Sequence, residues 1–219
     1  MPDRTPADEY YVDSPVVRDF IAEVLAARAA EPDPSLLVEA LRPAFGRLLA
    51  AEGWLPDAFA QPYAASGMGG GIGQYLLYRA ADHALTLFSL VVPAGSTTPV
   101  HDHLAWGLVG LYRGRQREKV YAPIVEDVAA GIAELELLEE RTLEAGEFYT
   151  LLPPAGDVHS VETTSPEASI SIHLLGNDAG CVPRHRFDPA AGTVAAFRSG
   201  YSNVPCEDVL PSAAGQAGR

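Results

Sequence analysis

Only two of the 219 residues are cysteine, Cys181 and Cys206. So few thiols suggest no disulfide framework, and a reducing, cytoplasmic setting is the simpler expectation. Basic side chains are scarce as well. There are 15 Lys and Arg against 29 Asp and Glu, giving a formal net charge of −14 and a pI near 4.7. Nucleic acid and anionic membranes both demand basic surface, so neither is an expected partner. A small anionic substrate is not excluded, because one local arginine can outweigh a distant acidic surface. No apolar run approaches the roughly 20 residues of a membrane span. The first residues, Met1-Pro2-Asp3-Arg4-Thr5, lack a basic segment followed by an apolar one, and no signal peptide is expected.

Apolar residues make up 47% of the chain, which marks it as globular. Its length suits one domain with an appendage. Ser14-Pro15 resembles an N-cap with proline at the first helical position. The helix predicted over 16–30 carries Val17, Phe20, Ile21, Val24 and Leu25 at helical spacing. Glu31-Pro32-Asp33-Pro34 ends it. A second helix is predicted over 35–51, with Leu36, Leu37, Leu41, Phe45, Leu48 and Leu49. Residues 54–70 read as a loop. Its Gly69-Gly70-Gly71 lacks the flanking residues of a phosphate-binding loop.

From residue 72 the period changes to that of strands. They are predicted over 75–79, 85–92, 108–112, 116–121, 135–138, 147–151 and 169–175, with an edge strand over 195–201. Short strands with Gly and Pro turns define a mainly β sandwich or barrel. The expected division is an N-terminal helical segment over 1–66, a barrel over 67–204 and a mobile tail over 205–219.

The chemistry lies in two short blocks. The first reads Gly95-x5-His101-x-His103-x3-Gly107-x6-Gly114. The second reads Pro154-x-Gly156-x2-His159. Residues i and i+2 of a strand share a face, so a strand through His101-Asp102-His103 aims two imidazoles into one interior and Asp102 away from it. With His159 these form a candidate metal site. Gly107 and Leu108 follow the histidine pair, where a carboxylate would complete a four-ligand set. Three neutral imidazoles leave a divalent ion its full charge and open coordination positions, as a catalytic metal needs.

These blocks resemble the two motifs of the cupin superfamily, which implies a double-stranded β-helix (jelly-roll) barrel. Within it, Thr98-Pro99-Val100-His101-Asp102-His103, Trp106-Gly107-Leu108-Val109-Gly110 and Ser169-Ile170-Ser171-Ile172-His173 look like the bacterial thiol dioxygenases. These are relatives of cysteine dioxygenase, with the 3-mercaptopropionate enzymes the closest group. The resemblance spans roughly 72–204 and includes Gln74-Tyr75-Leu76-Leu77-Tyr78-Arg79 and Ser199-Gly200-Tyr201-Ser202-Asn203.

It implies an Fe(II) cofactor held by His101, His103 and His159. It also implies an outer Ser-x-His-x-Tyr series, matched by Ser171 and His173 but ending in Leu175. A phenol donates a hydrogen bond there and leucine cannot. The arginine that grips the substrate carboxylate in the 3-mercaptopropionate branch corresponds to Arg184. Animal-type cysteine dioxygenase carries its arginine near the position of Leu77, and its cysteine–tyrosine crosslink falls on Leu108 and Leu175. Cysteine is therefore the less expected substrate.

The residues also admit plainer readings. His173 can be a core histidine bonded to Ser171. Arg184 can belong to a solvated cluster with His185 and Arg186. His83 and His185 read as surface residues, and Trp106 and Tyr75 as packing. The expected function is a non-heme Fe(II)-dependent thiol dioxygenase. It would join dioxygen to a small mercapto-carboxylic acid and release the sulfinate. The alternatives are a three-histidine dioxygenase acting on a non-thiol and a non-catalytic cupin that binds metal or a ligand.

Overall fold

Local signals set the first two helices of the computed structural model, which describes residues 7–65 and 67–206. Helix α1 spans Pro15–Ala30, and the Ser14 hydroxyl accepts from the Val17 N–H to cap it. Helix α2 spans Pro34–Ala50, where Asp33 caps Ser35 and Leu36. Both begin with proline at a position whose N–H has no helical partner. The apolar stripes Val17, Phe20, Ile21, Val24 and Leu37, Leu41, Phe45, Leu48 are buried. Each such side chain contributes roughly 1.5–3 kcal/mol relative to exposure.

Among the described residues, twelve strands make two antiparallel sheets. They are β1 Glu9–Tyr10, β2 Gly73–Arg79, β3 Thr86–Val92, β4 Val100–His101, β5 Gly107–Arg113 and β6 Arg115–Asp127. Then come β7 Ile132–Glu144, β8 Phe148–Leu151, β9 Val158–Thr163, β10 Ser169–Leu175, β11 Arg184–Asp188 and β12 Thr193–Phe197. The first sheet has the order β1-β2-β3-β10-β5-β8. The second, β11-β12-β7-β6-β9-β4, closes on itself through β4 and β11. With the two helices on one side, this is the mainly β, double-stranded β-helix architecture that the two histidine blocks imply.

The first sheet is buried on both faces. Ile170, Ile172 and Leu174 of β10 join the helices in one core, with Leu77, Leu87 and Leu108. The alternate residues point into the barrel, where Leu175 packs with Phe88, Leu90, Val109 and Leu151. Residues of period two along β10 therefore send Ser171, His173 and Leu175 to one interior.

Four expectations are corrected. The segment through His103 is not a continuous strand: β4 stops at His101, and Leu104 adopts φ 55°. The N-terminal segment is not only helical, since β1 pairs with β2. The edge strand predicted over 195–201 ends at Phe197, after which the chain returns to β2, where Ser202 and Asn203 bond the backbone of Gln74 and Leu76. Finally, Cys181 and Cys206 form a disulfide. The return of residues 199–203 brings this about: the Gly180 N–H donates to the Tyr201 hydroxyl and the Gly200 N–H to the Gly180 carbonyl. The two cysteines thereby approach to 5.2 Å between Cα atoms. Of the tail expected from residue 205, residues 207–219 lie outside those described. No helix among the described residues is long and apolar enough to cross a membrane.

Candidate metal centre

His101, His103 and His159 are brought to one point from two directions. His101 pairs in register with His159 across β4 and β9, and with Arg186 across β4 and β11. His103 lies beyond the strand, in a turn that Asp157 builds. The Asp157 carboxylate accepts from the backbone N–H of His103 and of Leu104, each at 2.9 Å. Asn177 donates to the His103 carbonyl at 2.9 Å.

The three rings form a triangle with centroids 4.8–5.0 Å apart. Their candidate ligand atoms all lie within 4.8 Å of one another, and the residues are at most 3% exposed. The three histidines could hold a metal ion.

The outer ring nitrogens decide which atoms face inward. Nδ1 of His101 donates to the Pro99 carbonyl at 2.9 Å. Nδ1 of His103 donates to Asp157 at 3.2 Å, and Nδ1 of His159 to Glu118 at 2.6 Å. Every Nε2 is thereby left with its lone pair for the centre. Nε2 of His159 is buried and has no hydrogen-bond partner among the described residues. Such an orphan is costly unless something accepts its lone pair, and a cation does. Burial, and then the neighbouring imidazoles, push His101 and His103 well below the ordinary histidine range. The neutral ring is the form that ligates a metal. The donor set therefore fits a first-row divalent ion.

The other predicted residues surround this triangle. Ser171 Oγ lies 2.9 Å from His173 Nε2. The His173 ring stacks on Phe88 at 4.6 Å and stands 6.2 Å from the His103 ring. Nδ1 of His173 is buried without a partner among the described residues. Leu175 is fully buried on the same inner face.

Arg184 is not part of a solvated cluster. It is 2% exposed, while Arg186 faces solvent. Its guanidinium donates to the Asp102 carbonyl and to Ser199 Oγ, and its Nε–H has no partner among the described residues. Burial draws its pKa down to about 10, which leaves it charged at neutral pH. Asp102 turns away from the centre and takes both His185 Nδ1, at 2.7 Å, and the His185 N–H, at 2.8 Å. His185 is thus half-buried and paired.

Several residues escaped the reading of the sequence. Asp157 stood inside the second histidine block, and its place two residues before His159 was the available signal. Glu118 is flanked by Arg117 and Lys119, so nothing local separates it from a solvated strand. It is nevertheless 1% exposed, because residues 116, 118 and 120 face inward. Burial would raise its pKa, but the bonds from His159 and Arg141 hold it down to about 2. Gln74, on β2, is 2% exposed and its Nε2 has no partner among the described residues. The register Gln74↔Leu90↔Ser171 puts it on the same face as Ser171. A hollow of about 370 Å³ beside Lys119, Tyr121 and Ser160 sits on the outer face of the strands that carry Glu118 and His159.

No protein-family model matches the chain. Several solved structures resemble it in part. One is an uncharacterized conserved protein with a double-stranded β-helix domain from Klebsiella pneumoniae. It is 16% identical with a TM-score of 0.40, over 57% of this chain and 84% of that one. Another is the cupin domain of an XRE family transcriptional regulator from Enterobacter cloacae. It is 18% identical with a TM-score of 0.33, over 48% of this chain and 94% of that one. A third is an oxalate oxidase bound to the substrate analogue glycolate. It is 14% identical with a TM-score of 0.38, over 58% of this chain and 63% of that one. The chain spans less than two thirds of the length of several such structures, 63% of the oxalate oxidase among them. Likenesses of this size say nothing about reaction or ligand.

Proposed function

We propose that the protein is a non-heme Fe(II)-dependent thiol dioxygenase that converts a small mercapto-carboxylic acid to its sulfinate. One observation carries this reading: three imidazoles converge with no carboxylate among them, and the buried Arg184 guanidinium lies over the Phe197 ring that meets His101 edge to face. An Fe(II) ion held there supplies a redox-active Lewis acid that favours the thiolate over the thiol.

The chain's own residues do the rest. Two N–H groups of Arg184 are engaged, and the remaining donors suit a carboxylate. The orphaned Gln74 amide is a second donor on the inner face. Ser171 and His173 set a hydrogen-bonding pair beside the histidine triangle. Burial of all these groups excludes water, and holding both reactants in one place makes the step effectively intramolecular. In the balanced reaction, thiolate and dioxygen combine and both oxygen atoms end on sulfur. Sulfur supplies all the electrons that dioxygen accepts, so no external reductant is consumed.

The test is anaerobic loading with Fe(II), then oxygen uptake with 3-mercaptopropionate, mercaptosuccinate, cysteine, cysteamine and a diketone. Uptake with a mercapto-acid, and sulfinate as product, is the expected result. Iron-loaded protein that consumes no oxygen with any thiol refutes the reading.

The burial of Leu175 favours a second reading, in which a three-histidine site acts on an apolar non-thiol. Uptake with the diketone alone would select it. Leu175→Tyr separates the two further. For a small thiol, a phenol on this face is expected to raise kcat severalfold with iron content unchanged. For a bulkier substrate that leucine touches, it lowers activity. Rates unchanged for every substrate would put residue 175 outside the reacting cavity.

A further inference from the structure

We infer that Glu118 is a positioning residue of the metal centre, supplying through His159 the negative charge that the three-histidine ligand set lacks. This rests on reading His101, His103 and His159 as a metal site.

The three outer partners are unequal. His101 donates to a neutral carbonyl. His103 donates at 3.2 Å to an Asp157 carboxylate already engaged by two backbone N–H groups. His159 alone makes a short bond, 2.6 Å, to a carboxylate that accepts from no backbone group the structure identifies. Glu118 is as buried as its partner, with each side chain 1% exposed. Its other oxygen accepts from Arg141 Nε at 2.6 Å. Arg141 in turn lies 4.3 Å over the Tyr149 ring, whose hydroxyl is 3.3 Å from His159 Nδ1. The carboxylate is thus clamped between a ligand and a partly exposed cation. It reaches its place because β6 pairs with β9 along the register Val120↔His159 and Glu118↔Val161.

A carboxylate on the far nitrogen of a ligating histidine does two things. It fixes the tautomer and ring orientation, and it makes the ligand more basic. Glutamine keeps the shape and can still accept from Nδ1–H, but it carries no charge. Alanine removes both effects.

The test measures Fe(II) and Co(II) affinity by competition, and the Fe(III)/Fe(II) midpoint potential, in the full chain. In Glu118→Gln the affinity is expected to fall on the order of 10- to 100-fold. The potential should move positive, because the more highly charged ion loses more stabilisation. Glu118→Ala should lose more affinity again, with far-UV circular dichroism unchanged. Arg141→Gln, in which Glu118 is left uncompensated, should move the potential in the negative direction. It also serves as the probe if the Glu118 proteins do not fold. Wild-type protein that takes up no ion refutes the metal site itself, and this inference with it. Wild-type protein that binds, while Glu118→Gln matches it in affinity and potential, leaves the metal site standing and overturns the role of Glu118. So does an Arg141→Gln potential that is unchanged or moves positive.

Discussion

His159→Ala is expected to abolish retention of a divalent ion while the barrel stays folded. The histidine is 1% exposed and its Nε2 has no partner among the described residues, so the change removes a ligand and leaves a cavity the size of one imidazole. Two imidazoles remain after the change, and two neutral ligands do not close a structural or catalytic site of this type. The loss of affinity should exceed the roughly 10- to 100-fold that follows removal of an outer partner. Glu118 keeps its bond to Arg141, which limits the cost of leaving its carboxylate buried. Metal content after anaerobic reconstitution, read beside circular dichroism, checks the result. A folded His159→Ala protein with a full complement of ion would end the enzyme reading.

The second large effect concerns the charged end of the substrate. Arg184→Ala should raise KM for a mercapto-acid on the order of 10- to 100-fold. That is the scale of losing a charge-assisted hydrogen bond of about 1.5–3 kcal/mol. Cysteamine has no carboxylate and should be affected little. Arg184 is also structural, since it donates to the Asp102 carbonyl and to Ser199. The replacement therefore lowers stability as well, and KM is compared only on folded protein. Equal changes for both substrates would mean that the arginine only holds Asp102 and Ser199 together. Arg184→Lys refines the comparison: it keeps the charge but not the planar fork, and should recover only part of the loss.

Individual elements show which parts of the molecule were legible in advance. Ser14-Pro15 marks the start of α1 because capping is satisfied within three residues, whereas Asp33-Pro34, read only as the break after that helix, proves to cap α2 in the same way. The β10 pattern Ser169-Ile170-Ser171-Ile172-His173 separates two faces because strand alternation is a property of the backbone alone. By contrast, β9 went unpredicted although it carries His159, since Val158-His159-Ser160-Val161-Glu162-Thr163 is short and half polar. The pairing of His101 and His103 followed from an assumed strand that stops at His101. Their convergence is real, but its cause is Asp157 and not strand periodicity.

By itself the sequence determined the mainly β class, the helical start and the three histidines, since each is written in short-range pattern or spacing. Tertiary structure alone decided the rest. It paired Glu118 with His159 and buried Arg184 against the carbonyl of Asp102, partners 41 and 82 residues apart. It also joined Cys181 to Cys206. Such contacts depend on which strands lie side by side and in what register. That is settled by burying two faces of one sheet and closing the other, and no local stretch of residues encodes it.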